Sequence, residues 1–149
     1  MNVTSVPYDL VFLVHIVGAL ATVVVLVTLR VSAQGASRSN DLAVARRHFP
    51  DRTDWAARVV HIMPVTGFTM SLMGDKDVAM SRPWVGVGLV LYFVLAFWLE
   101  ARTLPVERSL ARELAAGEDA RGSAQRFARR LDTALSLVGV ILVVMVVQF

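Results

Sequence analysis

Of the ionisable side chains within or at the edges of the long apolar stretches of this chain, four stand out, namely His15, Arg58, His61 and Asp132. Each is costly in a low-dielectric surrounding unless paired or hydrated, so each is a candidate site residue. His15 shares one helix face with Gly18, Ala19 and Thr22, at offsets of three, four and seven. Small residues at that spacing let a second helix approach, so the face points into a bundle. An imidazole there has two uses. It can bond a hydroxyl or carbonyl of the neighbouring helix, or it can ligate haem or a metal, or carry a proton.

Arg58 and His61 are three residues apart and face the same way. Asp132 opens the stripe Asp132–Ser136–Gly139, which suits a close helix contact. A polar cluster of Arg58, His61 and Asp132 is therefore expected at one membrane face. It is either a structural clamp or the floor of a polar pocket in which His61 titrates. His15 and His61 are expected near opposite faces, about 15 Å apart along the axis, which argues against a shared metal. Met63, Met70 and Met73 share a face of one segment; packing is the expected use, over Cu(I). No metal site is expected.

The elements that must position these residues are apolar helices. The chain has 149 residues, 56% hydrophobic and 18% charged, without cysteine. Such a composition argues against a soluble basic domain, a disordered chain and a disulfide scaffold. Leu10–Leu29 runs twenty residues without a charge, about 30 Å as a helix, and its many valines are helical in lipid because only a helix satisfies its own backbone there. No Lys or Arg precedes it, and the run is long for a cleaved leader, so a retained span is expected. Further spans are expected at about 56–73, 83–101 and 130–148, after a first at about 8–30. Pro83 suits a helix start, whereas Pro64 with Gly67 interrupts the second span, frees the Val60 carbonyl and predicts a kink. The fold class expected is all-α, a single four-span antiparallel bundle over 1–149 with both termini on the outer side.

Charge orients this bundle. Thirteen of the fifteen Lys and Arg fall in the first and third connections, and two, Lys76 and Arg82, in the second. Positive charge marks the cytoplasmic side, so the basic balance reads as topology of a bacterial inner-membrane protein, and nucleic acid is not an expected partner. Tyr8 and Trp84 would mark the outer interface, Trp55 and Trp98 the inner one. Between spans, Asn40–Asp41 is expected to cap a short helix ending at Pro50, and a second helix is expected from Pro105 to Ala116, stopped by Gly117.

The stretches YDLVFLVHIVGA, ARVVHIMPVTGFTMSL, RPWVGVGLVLY and TLPVERSLARELAAG together resemble the family of small integral membrane proteins labelled domain of unknown function 2269. That resemblance implies a bacterial inner-membrane four-helix protein and supplies no activity. The layout is more distantly similar to copper-resistance-D-like membrane proteins and to four-span oxygen-independent protoporphyrinogen oxidases. Both imply a His in an early span, matched by His15. The latter also implies a basic residue deep in the bundle beside haem, which Arg58 matches in part, since the third span has no Lys or Arg.

Small-residue faces at His15–Thr22, Gly86–Gly88–Tyr92–Ala96 and Ser136–Gly139 exceed what a lone bundle needs. The leading expectation is therefore non-enzymatic: an accessory or assembly subunit, or a homo-oligomer, surrounded by lipid and needing no cofactor. One alternative is a redox protein that binds haem or quinone at His15. Another is a small transporter working around the Pro64 kink and the Arg58–His61–Asp132 cluster.

Overall fold

A computed structural model of the chain describes residues 6–39, 42–49, 56–73 and 82–147. Helix α1 spans Val6–Arg38 and α2 spans Leu42–His48. A 3-10 stretch, Ala56–His61, leads directly into α3, Ile62–Met73. Helix α4, Pro83–Phe97, continues through a π-helical turn, Trp98–Thr103, into α5, Leu104–Ala116, and α6 covers Arg121–Val147. Among the described residues there is no strand.

Three of these elements are long and apolar enough to cross a membrane: α1, the continuous rod Pro83–Ala116, and α6. The expected second span is built differently, because α3 has only twelve α-helical residues and the six before it are wound as 3-10 helix. The change of winding falls just ahead of Pro64, whose ring removes the N–H that would bond the Val60 carbonyl.

All three long elements run past the expected span edges. Helix α1 continues to Arg38 because Ala33 and Ala36 extend its buried face beyond Leu26 and Leu29 at spacings of three and four. Helix α6 begins at Arg121 for the same reason, burying Ala124, Phe127, Ala128, Leu131 and Ala134. The turn between α5 and α6 forms where expected. Gly117 adopts φ 79°, its N–H bonds the Leu114 carbonyl at 3.2 Å, and the Glu118 N–H bonds the Glu113 carbonyl at 2.9 Å. This pair of bonds satisfies the last carbonyls of α5, and glycine takes the left-handed conformation without steric penalty. Asn40–Asp41, Pro50, Trp55 and Lys76 lie outside the described residues.

Neighbouring helices run antiparallel. His15 meets Thr66 while Gly18 meets Ile62 and Met63, so α1 ascends as α3 descends. Likewise Gly88 faces Met145, and the Trp98 indole N–H donates to the Arg130 carbonyl at 2.9 Å, which sets α4 against α6. The core is concentrated at one end of the bundle. Leu26, Leu95, Leu99, Leu110, Phe127 and Leu131 are almost fully buried there, with Phe49 edge-on to Phe127 at 5.9 Å between ring centres. Docking of α2 onto α5 adds to that end, with the Arg46 guanidinium donating to the Leu114 carbonyl at 2.6 Å.

Candidate functional site

The 3-10 stretch and the π-helical turn face each other, and the main polar cluster lies between them. A 3-10 helix has three residues per turn, so Arg58 and His61 stand one directly above the other. Opposite them, the π turn carries Glu100. Arg58 grips this carboxylate with two parallel bonds, Nε to Oε1 at 3.0 Å and Nη2 to Oε2 at 3.3 Å. Such a fork fixes orientation as well as charge.

His61 joins the same carboxylate. Its Nε2 lies 3.3 Å from Glu100 Oε1 and its Nδ1 lies 2.7 Å from the Tyr92 hydroxyl. A carboxylate only accepts, so Nε2–H donates to it, and in the neutral imidazole Nδ1 accepts from Tyr92 O–H. The result is a continuous polar chain from Tyr92 through His61 and Glu100 to Arg58. Tyr92 and Glu100 come from one rod, eight residues or about two turns apart on one face, and both reach the segment ahead of α3. The cluster therefore ties that segment to the α4–α5 rod.

Asp132 is not part of this cluster. It pairs with Arg30 of α1, and its stripe mates Ser136 and Gly139 lie on the exposed side of α6. A Cβ on Gly139 would meet nothing within 4 Å, so the expected close contact along that stripe is absent. The physical reason is helix adjacency: the first turns of α6 pack on α1, whose last apolar turn ends at Arg30, and the nearer guanidinium takes the carboxylate.

His15 faces α3. Thr66 Oγ1 donates its single proton to helix carbonyls, that of Ile62 at 2.8 Å and more weakly that of Met63 at 3.2 Å. With that proton on the helix carbonyls, the 2.8 Å contact between His15 Nδ1 and Thr66 Oγ1 has Nδ1–H as donor, and in this neutral tautomer Nε2 is the acceptor. Gly67 lies against the ring edge, where a Cβ would sit 3.6 Å from His15 Cε1. Thr66 is five residues beyond His61, roughly 7 Å of helix rise, so the two imidazoles are closer in depth than span edges alone suggest. They remain separately engaged. Met63 packs over Gly18, and Thr22 bonds the Gly18 carbonyl within its own helix at 2.8 Å.

Sequence reasoning missed Glu100, Tyr92, Thr66 and Arg30 as partners. Glu100 was open to discovery, being an acid at the very end of an apolar run, on one face with Tyr92 and Ala96 at helical spacing. Among the described residues no group of three or more His, Asp or Glu is placed to hold a metal ion. Comparison of the chain with protein-family models, with characterised proteins and with solved structures gave no match.

Proposed function

We propose that the chain is a non-enzymatic, four-pass protein of the bacterial inner membrane that serves as an accessory or assembly subunit, associating with copies of itself or with other membrane subunits. The observation that carries this reading is the use to which its polar side chains are put. His15 engages Thr66, His61 engages Tyr92 and Glu100, Arg58 engages Glu100, and Asp132 engages Arg30. Each bond joins two different segments, so these groups act as clamps between helices, the commonest role for polar side chains in a bundle.

Two features support a fourth crossing by Ala56–Met73. Six residues of 3-10 helix at about 2.0 Å each and twelve of α-helix at about 1.5 Å each make about 30 Å, one bilayer core. In addition, Arg46 and Phe49, before that segment, touch Leu114 and Phe127, after the α4 crossing. With only three crossings, these contacts would have to pass through the bilayer. The positive-inside count then places the Arg-rich end in the cytoplasm and the termini outside. Gly86 and Gly139 leave open space on the surface, room for another helix to approach. On this reading the chain belongs beside the family labelled domain of unknown function 2269, which its sequence resembles.

Haem or quinone binding is the competing reading, and one observation favours it. The Thr66 contact on Nδ1 orients the His15 ring and leaves Nε2 for a ligand, as outer-shell hydrogen bonds do at metal sites. A second imidazole does not fit, because both nitrogens of His61 are already engaged. An optical spectrum and native mass spectrometry of the detergent-purified chain separate the two. The accessory-subunit reading expects a colourless protein that is oligomeric or carries another membrane subunit. A Soret band lost in His15→Ala, or a strictly monomeric chain without partners in a mild detergent, contradicts it.

A further inference from the structure

A cleft of about 430 Å³ lies between the inner ends of α1 and α6 and shares no residue with the Arg58–Glu100 cluster. Gln34 and Arg38 line it from α1, and Arg121, Gln125, Arg129 and Asp132 from α6. Three guanidiniums therefore meet a single carboxylate, and that carboxylate already pairs with Arg30, which is not part of the lining. Arg121 pairs with the exposed Asp119 at 3.9 Å. Guanidinium forks match phosphate oxygens, and the two Gln amides add neutral donors and acceptors.

Depth narrows the ligand class. The apolar run of α1 ends at Leu29 and that of α6 starts at Leu131, so the Arg30–Asp132 pair marks the edge of the hydrocarbon layer. Gln34 lies four residues beyond Arg30 and Arg129 three residues before Asp132, about 6 and 4.5 Å of helix rise, within the adjoining headgroup layer of roughly 5–7 Å; Arg38 and Arg121, about 12 and 16 Å beyond the pair, stand at the aqueous rim of the cleft. We infer that this cleft binds the phosphodiester headgroup of an anionic membrane lipid, with Arg129 as the phosphate ligand at headgroup depth and Arg38 and Arg121 adding positive charge at the aqueous rim. Basic pockets between transmembrane helices recognise headgroups in this way. The inference rests on the membrane reading of α1 and α6, and it stands whether or not the chain is an assembly subunit.

Native mass spectrometry of the full chain in detergent, titrated with phosphatidylglycerol, phosphatidylcholine or inorganic phosphate, is the test. Phosphatidylglycerol should bind in clear preference to phosphatidylcholine. Arg38→Gln and Arg129→Gln should each weaken it about fivefold, and Arg38→Gln/Arg121→Gln/Arg129→Gln about a hundredfold. A triple variant with the same charge change outside the cleft, Arg47→Gln/Arg108→Gln/Arg112→Gln, should bind as the parent does. If the triple cleft variant does not fold, the two single variants decide. Equal losses in cleft and control variants, no discrimination between the lipids, or inorganic phosphate binding as tightly as phosphatidylglycerol would each overturn the inference.

Discussion

At the end of the bundle that holds Arg30, Arg58 and Glu100, Leu26, Leu99, Phe127 and Leu131 are at most 2% exposed; toward the other end Leu10, Leu20, Val90 and Val143 stand about 60% exposed. The residue types hardly differ between the two regions, so hydrophobicity does not explain the contrast. What differs is the surrounding solvent. The Arg-rich end reaches past the apolar runs, where Ala33, Ala124 and Leu110 must be covered by protein because water lies outside. Toward the other end lipid can cover a Leu or Val as well as a neighbouring helix can, and helices need only touch where small or polar residues meet, as at Gly18 with Met63, His15 with Thr66 and Gly88 with Met145.

The contrast can be broken by substitution, and the largest effect is expected in the buried core. Phe127→Ala removes a fully buried ring packed on Phe49 and should destabilise the protein by about 3–5 kcal/mol, measured by unfolding in mixed micelles. A loss under about 1 kcal/mol would mean that this end is not packed as described. Next comes Glu100→Ala, which strips the shared partner from both Arg58 and His61 and should lower the unfolding midpoint more than any other single polar change. The swap Arg58→Glu/Glu100→Arg should recover part of that loss; no recovery would show that geometry, not charge, dominates.

Smaller effects sharpen the comparison. Thr66→Val keeps the shape and removes the acceptor for His15 Nδ1–H, with an expected loss of about 0.6 kcal/mol, at most about 1.7. Asp132→Asn at the half-exposed Arg30 pair should fall within about 0.2–1 kcal/mol and fade with added salt. Smallest of all, Leu20→Ala should be near neutral in lipid bicelles, because its side chain points away from the protein. A loss comparable to that of Phe127→Ala would instead reveal a protein partner on that face.

Much of the helical layout was legible in the sequence, since a twenty-residue apolar run leaves the backbone no alternative in lipid. The Gly117 stop was also legible, because it acts through local backbone chemistry; at Pro64 the sequence predicts a kink, and the structure has a 3-10 stretch ahead of it. Which helix lies beside which was not. Periodicity placed Asp132 on a face without saying that α1 would cover it, so Arg30 went unseen and Arg58 was paired with the wrong carboxylate. The π turn at Trp98–Thr103 has no simple residue signature, yet it sets the direction of Glu100. His15 was legible as an inward-facing residue; its acceptor depended on the register between α1 and α3.

The most direct test of the four-pass arrangement exploits the absence of cysteine from the chain. Ser39→Cys, Lys76→Cys and Glu118→Cys, each alone, can be probed in intact cells with a membrane-impermeant maleimide. Four crossings with the packed end inside expect labelling of Lys76→Cys without permeabilisation, and of Ser39→Cys and Glu118→Cys only after it. Ser39→Cys and Lys76→Cys reacting on the same side, opposite Glu118→Cys, would mean that Ala56–Met73 does not cross and would contradict the account.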